Sequence, residues 1–241
     1  MSLLAKYSFF HRYLEFLQSC GVPDPGRYSQ PMGDAYSEPH RSYHNTTHIN
    51  FMLDKLAQDV SSEIVKLSDW EGKCVMFAVW WHDFVYNPQA KDNEIQSIIA
   101  WERFVDQVSE TSPVLEPYKT PVSSLIHCTI KHSIPSPTSD SLLSPALVSY
   151  FLDLDLAILA TSRDIYTAYA NNIRSEYQSY SIADYRNGRI AVLKGFLGRE
   201  RIFLTSNIEG KGESMEAMEA RARQNINWEL GELESGRLPK S

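Results

Sequence analysis

The sequence predicts an all-α fold on two observations: apolar residues recur at helical spacing in nearly every segment, and residues that start and stop helices punctuate them. Leu3, Tyr7, Phe10, Leu14 and Leu17 trace one stripe, which Gly21 and Pro23 close. A second helix is predicted from Asn45 to Asp59, with His48, Met52, Lys55 and Leu56 along one side. The run CVMFAVWWHDFVY, within Lys73 to Tyr86, fits a buried helix or a buried strand on pattern alone, and its neighbours favour the helix. Asn87-Pro88 breaks that run. Asp92 then caps a helix through Ile95, Ile98, Ile99, Trp101 and Phe104, and Pro121 opens the next, up to His132. Ser133 to Ser144, rich in Pro and Ser, is the clearest loop and is expected to border a site. Helical patterns resume over Pro145 to Leu152, Leu154 to Ala160, Ser162 to Tyr180, Ile182 to Leu197 and Ser214 to Leu233. Asn187-Gly188 is a turn signal inside one of them, so a break there stays open.

No Pro-, Gly- or Ser-rich stretch divides the 241 residues into comparable halves, so residues 1–241 read as one domain. The composition, 43% hydrophobic and 22% charged, is that of an ordinary globular chain. No apolar run has the length of a membrane span, and the first residues carry Lys6, His11, Arg12 and Glu15 in place of a signal peptide's apolar core. Cys20, Cys74 and Cys128 are scattered, as buried thiols of a reducing compartment would be. A cytoplasmic location is expected. A net charge of -7 without a basic run argues against an extended nucleic-acid surface and leaves small substrates open. An anionic substrate would then need a local cationic centre, which a metal ion can provide.

The histidines point to such a centre. All seven fall within the first 132 residues, and imidazoles combined with carboxylates suit zinc, manganese, iron, cobalt or nickel. His82-Asp83 ends an apolar run in which an unpaired carboxylate would be costly to bury, although the pair could equally cap a helix end near the surface. His44 and His48 stand four apart and would share a helix face, a spacing that also occurs among solvent-exposed histidines. Asp153 and Asp155 interrupt the apolar stretch FLDLDLAIL, where buried acids are paired, capped or metal-bound.

Taken together, the order His, His-Asp, Asp resembles the HD superfamily of metal-dependent phosphohydrolases. Closer still is a family of HD phosphohydrolases whose signature the chain resembles from Arg41 to Ile49, Trp81 to Tyr86, Asp92 to Ser97, Thr129 to His132, Leu152 to Leu156 and Ile173 to Tyr177. Ala222-Arg223-Gln224-Asn225 also matches, whereas Ile98 departs from the small residue usual after the serine. The resemblance implies a single HD-type helical bundle, with a metal-binding core at residues 40–160 and extra C-terminal helices at 161–235. It implies His48, His82, Asp83 and Asp155 as metal ligands, with Asp153 in a supporting role. Two imidazoles and two carboxylates neutralise a divalent ion, be it Mn, Zn, Ni, Co, Fe or Mg, and leave room for water and a phosphoryl oxygen.

Asp92 and Glu94 resemble the acidic pair of HD nucleotide pyrophosphohydrolases, so one is expected to orient water or protonate a leaving group; as alternatives, Asp92 caps its helix and Glu94 complements the helix dipole. Arg41, His44, Lys131, His132 and Arg174 are candidate phosphate contacts, since cations and guanidinium forks complement phosphate, and each could instead be structural. Trp80, Trp81, Phe84 and Tyr86 could stack on a base or belong to the core. The expected activity is hydrolysis of a small phosphoester or phosphoanhydride, including nucleotides. Two alternatives are a di-iron oxygenase, for which His127 and His132 would supply further ligands, and a non-catalytic ligand-binding regulatory module, whose usual sign is a missing ligand.

Overall fold

Ten α-helices and two 3-10 turns make up the regular structure of this computed structural model, which describes residues 3–135, 142–205 and 214–238; no strand occurs among them. The first helices are α1 (Leu3–Ser19), α2 (Gly26–Ala35), α3 (Thr46–Ser61), α4 (Asp69–Trp81) and α5 (Asn93–Ser109). A 3-10 turn, Pro113–Tyr118, leads into α6 (Lys119–Thr129). Then follow α7 (Pro145–Leu156), a 3-10 turn at Ala157–Ala160, α8 (Arg163–Glu176), α9 (Ile182–Leu197) and α10 (Met215–Glu234). Six residues of the predicted loop, 136–141, lie outside the described residues. No single described helix is long and apolar enough to cross a membrane.

The chain forms two compact units, Met1–Asp54 with Leu67–Val148 and Lys55–Lys66 with Ser149–Ser241. Two of the junctions fall inside α3 and α7, where no linker composition could mark them. In the first unit, α4 is apolar all round from Cys74 to Trp81, and such a segment belongs in a core. Its Trp80 meets Phe9 at 5.0 Å and Tyr13 at 4.8 Å between ring centroids, and its Phe77 meets Phe16 at 4.6 Å. Trp81 stacks on Phe104 of α5 at 5.0 Å. These contacts settle the helix-or-strand ambiguity of the apolar run and bring α1 against α4 within the first unit. A capping box between Ser68 and Glu71 starts α4. Gly21, at φ 75°, ends α1 in a Schellman motif: its N–H reaches the Gln18 carbonyl at 2.9 Å and that of Val22 the Leu17 carbonyl at 3.1 Å.

Three expectations need correcting here. The buried stripe of α1 runs through Phe9, Tyr13, Phe16 and Leu17, since Phe9 and Tyr13 are the residues that meet α4. On α5 the core face is Ser97, Trp101, Phe104, Val105 and Val108, while Ile95 and Ile99 are 39% and 43% exposed. Asp92 precedes α5 without capping it; its carboxylate accepts instead from Gln96 Nε2 at 2.9 Å.

The second unit centres on Glu229 of α10, which is fully buried. Arg189 of α9 grips it with two hydrogen bonds, 2.8 and 3.0 Å, and the Tyr166 hydroxyl of α8 donates to it at 2.6 Å. Asn225 donates to the carbonyls of Leu159 and Thr161, both at 2.9 Å, and so fastens the 3-10 turn to α10. Four successive N–H groups, Ile202 to Thr205, are taken up by the carboxylates of Glu219 and Asp153. α9 runs unbroken through Asn187-Gly188.

Candidate metal centre

His48 enters the site from the first turn of α3, and Asn45 prepares that turn. Its side-chain oxygen accepts the Thr47 N–H at 2.8 Å, while its amide donates to the Ser42 carbonyl at 3.0 Å. His82 stands at the C-terminal end of α4 and Asp83 follows it in the turn. His82 Nδ1 lies 3.0 Å from the Val79 carbonyl, which can only accept, so Nδ1 carries the proton and Nε2 presents its lone pair.

That lone pair faces two other donors. His82 Nε2 lies 3.2 Å from His48 Nε2 and 3.0 Å from Asp83 Oδ2, and His48 Nε2 lies 3.6 Å from the same oxygen. Both histidines are buried and Asp83 is partly so. Burial opposes the charge on Asp83, but when His82, His44 and His48 carry protons their charge outweighs it and holds the carboxyl far below the usual carboxylate range.

The three donors fit a metal ion. A triangle with these sides has a circumradius of about 1.9 Å, so a point about 2.1 Å from every donor, the usual metal–nitrogen distance, lies about 0.9 Å off their plane. The donors would therefore occupy one side of an ion and leave its other side for water and substrate. Among the described residues, His48, His82 and Asp83 are the group close enough for this.

The other predicted site residues divide sharply. His44 comes against the group: its ring centroid is 6.0 Å from that of His48, and its charge bears on Asp83. Arg41 is buried but spends its guanidinium on the protein, donating to Glu38, to the carbonyls of His44 and Asp83 (3.1 and 2.7 Å), and to the Phe84 carbonyl (2.8 Å). There it clamps the backbone on both sides of the site. Arg174 likewise donates to the Tyr177 carbonyl at 2.6 Å, closing the end of α8, and stacks over Tyr185. Lys131 and His132 follow α6, with His132 in the left-handed region at φ 43°. Asp92 is exposed, whereas Glu94 is half-buried in the first turn of α5.

Asp155 belongs to the second unit, half-buried near the end of α7, and its charge bears on Tyr169; the three-donor group is built from the first unit alone. Asp153, inside α7, accepts the N–H groups of Leu204 and Thr205, both at 2.7 Å. Trp80 and Trp81 are core residues, and Tyr86 is covered by His44 at 4.4 Å and Arg41 at 5.4 Å. His127 is exposed on α6.

Two supporting residues escaped the sequence reading. Tyr36 donates to the Trp80 carbonyl at 2.9 Å, and His40 Nε2 lies 2.9 Å from the Tyr86 carbonyl. Neither has a spacing signal, because both reach across more than forty residues to a backbone atom.

No family model, curated protein or solved structure matches the chain. Among the described residues the chain is helical without strands, and two imidazoles and a carboxylate lie close enough together that they could hold a metal ion.

Proposed function

We propose that the protein is a metal-dependent phosphohydrolase acting on a small phosphoester or phosphoanhydride, with nucleotides among its candidate substrates. The observation that carries this reading is the convergence of His48 Nε2, His82 Nε2 and Asp83 Oδ2 within 3.6 Å. When bound, a divalent ion supplies Lewis acidity and offsets phosphate charge. His82 is held as a lone-pair donor by the Val79 carbonyl, and the His44 ring lies beside that of His48. Glu94, half-buried and without a hydrogen-bond partner among the described residues, is suited to accept or return a proton. The motif resemblance supports the reaction class.

The di-iron alternative is less well supported, because His127 is exposed and the close donor group holds neither His127 nor His132. The test is a panel of nucleotides and small phosphoesters assayed with Mn, Co, Ni, Mg, Fe and Zn. Metal-dependent release of phosphate or pyrophosphate is expected. Release no greater than that of a His82→Ala variant, across the panel and with each metal, rejects the assignment.

A further inference from the structure

The chain after α4 has an unusual hydrogen-bond economy. A helix end leaves four carbonyls without partners, and irregular chain beyond it adds more. From Val79 onward side chains from distant elements meet most of them. The Val79 carbonyl faces His82 Nδ1, and the Trp80 carbonyl accepts from the Tyr36 hydroxyl. Arg41 takes the carbonyls of Asp83 and Phe84, His40 meets that of Tyr86, and Asn93 that of Asn87. Ser97 accepts the Val85 N–H at 3.0 Å, and the Asn93 side-chain oxygen accepts that of Asn87 at 3.0 Å.

This economy bears on the donors. Adjacent side chains on a regular helix diverge by about 100°, which would carry Asp83 away from His82. Here the chain turns out of the helix at His82, and Asp83 Oδ2 comes within 3.0 Å of His82 Nε2. The turn is held where it departs. Arg41 also takes the His44 carbonyl, in the approach to α3, so one buried guanidinium joins the segments that carry His48 and Asp83. A lysine ammonium is a point charge and lacks the planar fork that spans such separate acceptors.

We propose that Arg41 and Ser97 are positioning residues for the metal centre, fixing the backbone of Asp83 to Val85 so that Asp83 Oδ2 meets the two imidazoles; this rests on the metal reading above. The experiment measures the Kd for Co(II) and the visible spectrum of the bound ion, on full-length protein shown to be folded by circular dichroism. Arg41→Lys and Ser97→Ala should each weaken binding, Arg41→Lys by about tenfold or more, as residues supporting metal ligands typically do. Both should alter the spectrum, which reports donor geometry and would not move for a loss of stability alone. Tyr150→Phe, which removes a hydroxyl bonded to Asp59 in the second unit, is the control and should leave Kd and spectrum unchanged. Cobalt binding by the parent protein, with unchanged Kd and spectrum in both variants, overturns the positioning role. If Arg41→Lys fails to fold, Ser97→Ala decides on the same criterion. Failure of the parent protein itself to bind cobalt overturns the metal reading, and this proposal with it.

Discussion

Metal binding should stabilise the protein against heat, and the gain should vanish when His82 is replaced by alanine. His48 Nε2 and His82 Nε2 face each other at 3.2 Å inside the core, an arrangement in which one ion satisfies donors that would otherwise crowd. The unfolded chain cannot assemble donors drawn from positions 48, 82 and 83, so binding is confined to the folded state and adds to its stability. At a free metal concentration a hundredfold above Kd the gain is about 2.7 kcal/mol. For a chain of this size that corresponds to a rise in Tm of about 5–11 °C, at roughly 2–4 °C per kcal/mol. His82→Ala will lower Tm by itself, because it opens a cavity beside Val79. The quantity to compare is therefore the metal-induced shift within each protein, read by scanning calorimetry across a titration with Mn, Co, Ni, Zn, Fe and Mg. A Tm that stays flat with every metal, or a shift that survives intact in His82→Ala, refutes the reasoning.

Two further outcomes are expected. Glu94→Gln should cut kcat about a hundredfold or more while metal content by atomic emission stays at the parent level, as for a proton-transfer group that does not ligate the ion; an unchanged rate returns Glu94 to a helix-dipole role. Asp153→Ala should lower stability by about 1–3 kcal/mol for each backbone N–H left unsatisfied, those of Leu204 and Thr205, and an unfolding midpoint unchanged in denaturant titration refutes that anchoring role.

Those elements were legible whose signals are local. The bounds of α9 and the start of α10 after Ser214 follow from apolar spacing and a serine cap. α2 was missed because Gly26, Pro31 and Gly33 argue against a helix within ten residues. Packing overrides that preference: Met32 is buried, Tyr28 meets Phe104 edge-on at 5.1 Å, and the Ser29 hydroxyl donates to the Pro25 carbonyl. The face of α5 was misjudged for the opposite reason. Isoleucines crowd its first turns, and only the position of α4 and α6 decides which of them water reaches.

At the site, the legible part was the grouping of His48 with His82-Asp83, since few side chains can bind a divalent ion and these sit at helix ends where they converge. The clamps were not legible as clamps. A guanidinium fork donates to backbone carbonyls as well as to phosphate, so Arg41 and Arg174 invited the reading as substrate contacts. The difference lies in what stands opposite. For Arg41 it is the Asp83 carbonyl, 42 residues away in sequence, and for Arg174 the Tyr177 carbonyl one turn on, and no spacing rule distinguishes either from an open pocket. An arginine in such a motif can record the geometry a ligand needs without ever touching what the site binds. The effect of Arg41→Lys on metal geometry is thus a more direct measure of that motif than its effect on substrate affinity.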